Sequence, residues 1–253
     1  MKQEIRDEIK QILLQCVENA IKRTNKKITE NSSPKPFHTA LLTPEIVRIS
    51  SFERSFSTSF GQGPIEKISR LVAISNGFEA SLQKESMVNV YKGAVDEAER
   101  ICSALRGGSQ KPNWDKEIQT ICAFTKGDTV IRRVITDLYL KKSGVEHFIS
   151  IKTVTPNLDQ SEKAKNDMLL LQAENKDYRT YFALYYNPSG PLRTDYKHNF
   201  PMKIFNMHTD KCVLIGRDYW EFLGGTGSYD ELITIFAEVG EITKATLLNF
   251  GRS

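Results

Sequence analysis

The chain has 253 residues, of which 40% are hydrophobic and 26% are charged, and this composition is ordinary for a globular protein with a substantial core. No apolar run approaches the length of a membrane span, and the charged first residues, MKQEIRDEIKQ, lack the apolar core of a signal peptide, so we expect a cytoplasmic protein without a membrane partner. The formal net charge of +4 permits a polyanionic partner without requiring one.

The N-terminal half of the chain is predicted to be mainly helical, because apolar residues recur there at intervals of three or four positions. We predict helices over residues 3–23, from residue 44, from residue 64, over 86–106 and over 113–124. Thr43 and Pro44 form a typical helix start, since threonine caps the first turn and proline fits its first position. The segment 31–36, which contains two serines and two prolines, predicts a loop.

A β-hairpin is predicted at the centre of the chain, where two β-rich runs flank a turn at residues 141–144. Polar side chains interrupt both strands: Asp137 lies in the first, and Ser150 and Lys152 lie in the second. Alternation along a strand places Ser150 and Lys152 on the same face. We therefore expect Asp137 and Lys152 to lie close together and half buried, which is costly for two charges that have no function.

Helices and strands alternate after the hairpin. A polar helix with Asp159 as its N-cap is predicted first, followed by the apolar run YFALYY at residues 181–186, which is typical of a strand covered on both faces. A strand at 211–215, a short helix at 217–223 and a closing helix at 229–249 complete the chain. With no linker or internal repeat, the sequence predicts one domain of the α/β (α+β) class, with a central mixed β-sheet flanked by helices.

Two plain interpretations stay open on the residues alone. The hairpin fits an edge hairpin whose charges are simply solvated, and Glu66, in the first turn of the helix that begins near Pro64, fits a solvated acid favoured by the helix dipole. The alternative is a site in which two acids and one lysine converge. Such a site binds a hard divalent cation and positions a water, which is a workable arrangement for phosphodiester hydrolysis.

The order of the predicted elements, with Asp137 and Lys152 in it, resembles the αβββαβ core of the PD-(D/E)xK nuclease fold. Four stretches are similar to type II restriction endonucleases of the TdeIII/MjaII-like group: FERSFSTSFGQGPIEKISRLVA, ITDLYL, SIKTVTPNLDQSEKAKNDML and VLIGRDYWEFLGG. The resemblance implies a single nuclease domain over residues 1–253. Within it, residues 1–36 would form an N-terminal helical extension, and residues 45–245 would form the catalytic core with its DNA-recognition loops.

Carried onto this chain, the resemblance implies that Asp137 ligates Mg²⁺ and that Lys152 serves the attacking water. The family pattern would place a carboxylate at position 150, where this chain has Ser150, and a serine hydroxyl is a poor metal ligand. Another acid must then supply the missing charge. We rank Glu66 first, and the alternatives in the helix after the hairpin are Asp159, Glu162 and Asp167.

Contacts to DNA are expected from basic, hydroxyl and amide side chains, because these groups bind phosphate oxygens and base edges. The candidates are Arg48, Arg54, Ser57, Thr58, Gln160, Lys163 and Arg193. Arg48 and Arg54 flank a segment rich in serine and threonine. Gln160 and Lys163 lie near the start of the helix that follows the hairpin.

The resulting prediction is an Mg²⁺-dependent endonuclease that cuts double-stranded DNA at a short palindrome, with a cognate DNA methyltransferase as its system partner. The resemblance hints at a GGNCC-like site, and cutting both strands of a palindrome implies a homodimer. Two alternatives stay open. One is a repair or junction-resolving nuclease of the same fold, and the other is a catalytically inactive, sequence-specific DNA-binding relative, which Ser150 makes plausible.

Overall fold

The structure is a computed structural model that describes residues 1–30, 35–61 and 63–252. Its centre is a mixed five-stranded sheet in which the strands lie side by side in chain order. The strands are β1 (Glu79–Tyr91), β2 (Thr129–Lys142), β3 (Val145–Lys152), β4 (Arg179–Leu184) and β5 (Val213–Ile215). The first three strands pair antiparallel, and the last three pair parallel.

Helices cover both faces of the sheet, so the predicted α/β architecture is confirmed. In chain order they are α1 (Gln3–Thr29), α2 (Pro36–Leu41), α3 (Pro44–Phe60), α4 (Gly63–Ser75), α5 (Lys92–Gly107), α6 (Trp114–Ile121), α7 (Leu158–Glu174), α8 (Asn199–Ile204), α9 (Arg217–Gly224) and α10 (Ser228–Arg252). One apolar cluster joins the sheet to α5–α8, and a second joins it to α1, α4, α9 and α10. Within the described ranges, no helix is both long enough and apolar enough to cross a membrane.

The central hairpin forms as its turn chemistry predicts. Ser143 and Gly144 form the turn, with φ angles of 51° and 81°, and Lys142 pairs with Val145 on either side of it. Two positive φ angles are typical of a type I′ turn, whose twist matches the twist of the flanking strands. The turn thereby fixes the register of β2 against β3, and this register decides which polar side chains meet.

The helix predicted over residues 86–106 is wrong in its first six residues. β1 continues to Tyr91, and α5 begins only at Lys92. Val88 and Val90 alternate into the core and pair with Arg132 and Val130 of β2. The apolar residues fit both a helical and a strand spacing at this point, and pairing with a distant strand decides between the two.

The start of α7 also differs from its predicted cap. Asn157, rather than Asp159, is the N-cap, because its Oδ1 accepts a hydrogen bond from the Gln160 backbone N–H at 2.8 Å. The Gln160 side chain accepts a hydrogen bond from the Asn157 backbone N–H at 3.1 Å, which completes a capping box. Residues 31–34 of the predicted loop lie outside the described residues.

Candidate active site

Asp137 and Lys152 meet between β2 and β3. Lys152 Nζ lies 2.9 Å from Asp137 Oδ2, and the two side chains are 22% and 20% exposed. The Ser150 hydroxyl donates to the same carboxylate oxygen at 3.4 Å. Ile149 and Ile151 are buried in the cluster of the α4 layer, so alternation turns Ser150 and Lys152 toward the α7 layer. The hairpin thus gathers two polar groups, an ammonium and a hydroxyl, around one carboxylate.

Asp137 lies where the side chains of the β1–β2 pair change face. Residues packed toward α4 include Leu82, Leu138 and Leu140, whereas those packed toward α5 and α7 include Val88, Val90 and Val134. All are even-numbered, so an irregularity must separate the two sets. This irregularity is at Gln83, whose φ of 50° is left-handed. Its neighbours Leu82 and Lys84 pair with β2, but Gln83 itself does not pair with Asp137, the residue opposite. The irregularity gives the site access to helices on both sides of the sheet.

Glu66 approaches the site from α4. Its carboxylate Oε2 accepts a hydrogen bond from Gln83 Nε2 at 2.8 Å. Burial raises the pKa of Glu66, the Gln83 hydrogen bond lowers it, the negative charge of Asp137 raises it, and the positive charge of Lys152 lowers it; the net shift is upward. Glu66 is therefore electrostatically coupled to both members of the ion pair.

Asp167 approaches the same pair from α7. Burial raises the pKa of Asp167, the Lys163 ammonium at 2.6 Å and the charge of Lys152 lower it, and the charge of Asp137 raises it, with a net upward shift. Two acids on different helices are thus coupled to Asp137 and Lys152. Each is harder to ionise than a free carboxyl group, because it is partly removed from water and lies near another negative charge.

The other two acids proposed from α7 have a different partner. Glu162 and Asp159 both form ion pairs with Arg106 of α5, and neither makes a hydrogen bond or ion pair with Asp137 or Lys152. Glu162, an expected metal ligand, therefore forms an ion pair with Arg106 and does not contact the carboxylate of Asp137. A helix pattern shows which residues share a face, but it does not show which neighbouring helix supplies a countercharge.

The residues expected to contact DNA fall into two groups. Gln160 completes the capping box of α7, Lys163 pairs with Asp167, and Arg193 is held by the backbone oxygens of Met207 and Asp210 at 2.7 and 2.5 Å. These three side chains already have partners within the chain, and Arg193 fixes the segment that leads to β5.

The second group lies on α3, whose start at Thr43 and Pro44 was predicted. Arg48 and Arg54 line a groove between α1 and α3, together with Thr58. Ser57 instead donates a hydrogen bond to Glu53 at 2.6 Å on the same helix. The segment around Ser57 and Thr58 therefore belongs to the helix.

Two features of the site were missed or left open on the sequence. Gln83 gave no signal, because a glutamine within a strand carries no mark of its unusual backbone angle. His147, on β3, packs between the rings of Phe78, Tyr181 and Phe222, at centroid distances of 5.8, 5.9 and 5.5 Å. It is a histidine packed among aromatic rings.

The donor set is suited to Mg²⁺ but not to a cation that needs many protein ligands. Among the described residues, no group of three or more His, Cys, Asp or Glu side chains is close enough to hold a metal ion. Mg²⁺ is usually bound through one or two carboxylates, with waters and substrate phosphates supplying the remaining oxygens. Asp137 with either Glu66 or Asp167 would supply that number of carboxylates. A cation there would offset the negative charge of Asp137, which adds to burial in raising the pKa of both acids.

Comparison with known proteins gives one consistent result. Three restriction enzymes of Herpetosiphon aurantiacus, HgiCII, HgiEI and HgiBI, are 27%, 27% and 26% identical over 235 residues, covering 87% of this chain and 84% of each relative. No solved structure matches. A family model described as "Type II restriction endonuclease, HinfI" matches residues 1–240. The chain therefore belongs to the HinfI family of type II restriction endonucleases.

Proposed function

We propose that this protein hydrolyses one phosphodiester bond in each strand of double-stranded DNA at a short palindromic site, with Mg²⁺ and a water oriented by Lys152. Family membership supports the endonuclease activity. The assignment of the site depends on one observation, the 2.9 Å contact between Lys152 Nζ and Asp137 Oδ2 on adjacent strands. A half-buried ion pair with a second acid on either side is costly to maintain unless it has a function.

Each residue of the site has a role in this proposal. Asp137, with Glu66 or Asp167, would hold Mg²⁺. When bound, the ion polarises a phosphoryl oxygen and stabilises the charge that develops there. Lys152 orients the attacking water through its ammonium group, and Ser150 fixes Asp137 by its hydrogen bond. We assign the whole chain to one nuclease domain.

The proposed reaction implies its partners. Two cuts related by the two-fold axis of a palindrome require two copies of the site, so we propose a homodimer on DNA. A cognate methyltransferase would protect host DNA, and both enzymes would act in the cytoplasm. The GGNCC-like sequence stays a hypothesis, because none of the groups around Asp137 identifies a base.

The decisive experiment is to incubate the protein with phage DNA and Mg²⁺ and then map the fragment ends. Lys152→Ala should bind DNA but cut it about 10²–10⁴ times more slowly, because a positioned proton-transfer or water-orienting group contributes about that much. Lys176→Ala is the matched control, since Lys176 is an exposed lysine in the turn before β4. Wild-type cleavage by Lys152→Ala would reject the assignment of Lys152.

The same experiment separates the alternatives. Discrete bands that methylation of the DNA abolishes are expected of a restriction enzyme. Cutting that depends on junctions or lesions rather than on sequence would favour a repair nuclease. Intact DNA in Mg²⁺, together with a clean gel shift in Ca²⁺, would favour an inactive DNA-binding relative.

A further inference from the structure

A groove with a basic lining runs between α1 and α3, separate from the ion pair of the candidate active site. Its volume is about 670 Å³. Its cations are Arg23, Lys27, Lys35, Arg48 and Arg54, and its hydroxyl groups belong to Thr39, Ser51, Ser55, Thr58 and Ser59. No described aspartate or glutamate lines it. We call this surface the basic groove.

The cations of the basic groove are not neutralised by carboxylates. Within the described ranges none of the five forms an ion pair with an acid, and those with partners bond to neutral groups. Arg23 donates to Ser59 at 2.7 Å, Lys35 to Ser51 at 3.2 Å, and Arg48 to Asn25 at 2.8 Å. The Nε of Arg48 is buried and has no hydrogen-bond partner among the residues that the structure describes. Positive charge gathered in this way is stabilised when an anion enters the groove.

The basic groove ends beside the candidate active site. Thr58 and Ser59, which line it, lie in the last turn of α3, just before Gly61. A Cβ at Gly61 would lie 3.2 Å from the Tyr185 hydroxyl and 3.6 Å from Cγ2 of Thr153, the residue that follows Lys152. From Arg48 to the end of α3 the helix rises by about 18 Å. That rise equals about five base pairs along B-form DNA.

We infer that the basic groove binds backbone phosphates of the DNA to one side of the scissile bond, over a length of up to about five base pairs. This inference rests on the endonuclease function proposed above and adds the surface on which the flanking DNA lies. Arginine, lysine and hydroxyl side chains are the usual partners of phosphate oxygens, and such contacts fix the register of a protein on the duplex without reading its sequence. The affinity that the groove contributes is therefore independent of base sequence and sensitive to salt.

The test removes two exposed cations, Lys27 and Arg54, that have no hydrogen bond or ion pair to a described residue. Binding of a labelled random-sequence duplex is measured in EDTA from about 50 to 200 mM KCl. For the variant Lys27→Gln/Arg54→Gln, the slope of log affinity against log salt should be shallower by about 1.8, since each phosphate contact contributes about 0.9. The same rise in salt should therefore weaken the wild type about twelvefold more than the variant.

A control variant with the same loss of charge separates local contacts from net charge. Lys111→Gln/Lys176→Gln changes two exposed lysines that lie before α6 and before β4. This variant should keep the wild-type slope. An equal slope for wild type and groove variant, or an equal change in both variants, overturns the inference. If the groove variant melts at a lower temperature than wild type, Lys27→Gln alone is used, with an expected change in slope of about 0.9.

The readout in EDTA keeps this inference separable from the proposed function. Wild-type cleavage of phage DNA in Mg²⁺, combined with unchanged slopes, rejects the basic groove and leaves the endonuclease in place. Absence of wild-type cleavage, combined with a shallower slope for the groove variant, rejects the endonuclease and retains a DNA-binding groove.

Discussion

Gln83 holds Glu66 across the gap between β1 and α4, with its Nε2 donating to Glu66 Oε2 at 2.8 Å. It does so from a backbone with a φ of 50°, opposite the unpaired position of Asp137 in the ladder. A left-handed angle at a residue other than glycine costs about 1–3 kcal/mol and persists where the surroundings require it. The strain and the hydrogen bond together indicate that the position of Glu66 matters to the protein.

The first prediction is that Gln83→Gly slows cleavage without unfolding the protein. Glycine accepts the left-handed angle and removes the strain, but it also removes the amide that holds Glu66. We expect the free energy of unfolding to stay within about 1 kcal/mol of wild type, because relief of strain offsets the lost contacts. We also expect single-turnover cleavage to fall about tenfold, which corresponds to about 1.4 kcal/mol.

Gln83→Asn serves as the control, since asparagine tolerates the same backbone angle but carries a shorter amide. Its cleavage rate should match that of Gln83→Gly if the reach of the amide to Glu66 is what matters. A variant that loses stability while keeping the wild-type cleavage rate would show that Gln83 has only a structural role.

The second prediction distinguishes the two acids that are coupled to Asp137. Glu66→Gln should raise the Mg²⁺ concentration needed for half-maximal cleavage by about 10–100-fold, the range seen when groups that support a metal site are removed. Asp167→Asn should raise it less, because the Lys163 ammonium already compensates the charge of Asp167. The rise in melting temperature produced by Ca²⁺ provides a readout without cleavage. The reverse order of effects would move the second ligand from α4 to α7.

The third prediction concerns the position at which the chain departs from the family pattern. Ser150 lies 3.4 Å from Asp137, so Ser150→Asp places a second carboxylate beside the first. Without metal, like-charge repulsion should lower the free energy of unfolding by about 1 kcal/mol. With Mg²⁺ the two acids should bind together, and affinity should rise about tenfold. Ser150→Asn, in which asparagine is similar in size to aspartate but uncharged, should show neither effect. An unchanged Mg²⁺ affinity in Ser150→Asp would mean that the ion binds away from position 150.

The central pair was predictable because its determinants are local. A two-residue turn sets the register of the hairpin, and alternation along β3 then decides the face of Ser150 and Lys152. The meeting of Asp137 with Lys152 follows from these two rules alone. The same logic gave the α/β class and the order of most elements.

The remainder of the site depends on contacts between residues far apart in the chain. Val88 and Val90 became strand residues by pairing with β2, about forty positions later. Glu162 was a reasonable ligand by its position on α7, but Arg106 of α5 binds it. Packing of one helix against another decides such pairings, and no pattern within a single helix records them.

The last prediction concerns His147 and the dependence of stability on pH. Burial, with a smaller effect from the positive charge of Arg179, lowers the pKa of His147 below its ordinary value of 6.5. Its ring Nδ1 is buried and has no hydrogen-bond partner among the described residues, so an added proton there would have no acceptor. The unfolded chain therefore takes up this proton at a higher pH than the folded chain does. Stability from this group is present above pH 6.5 and is lost as the pH falls through and below that value.

His147→Phe should remove this part of the pH dependence, because phenylalanine fills the same space among Phe78, Tyr181 and Phe222 without binding a proton. Urea unfolding at a series of pH values between 7.5 and 5, about the range in which histidines titrate, measures the effect. The decrease in the free energy of unfolding should be smaller in the variant than in wild type. His38→Asn, at an exposed position on α2, should leave the wild-type decrease unchanged. Equal decreases in His147→Phe and wild type would mean that His147 titrates alike in the folded and unfolded chains, contrary to its burial among three rings.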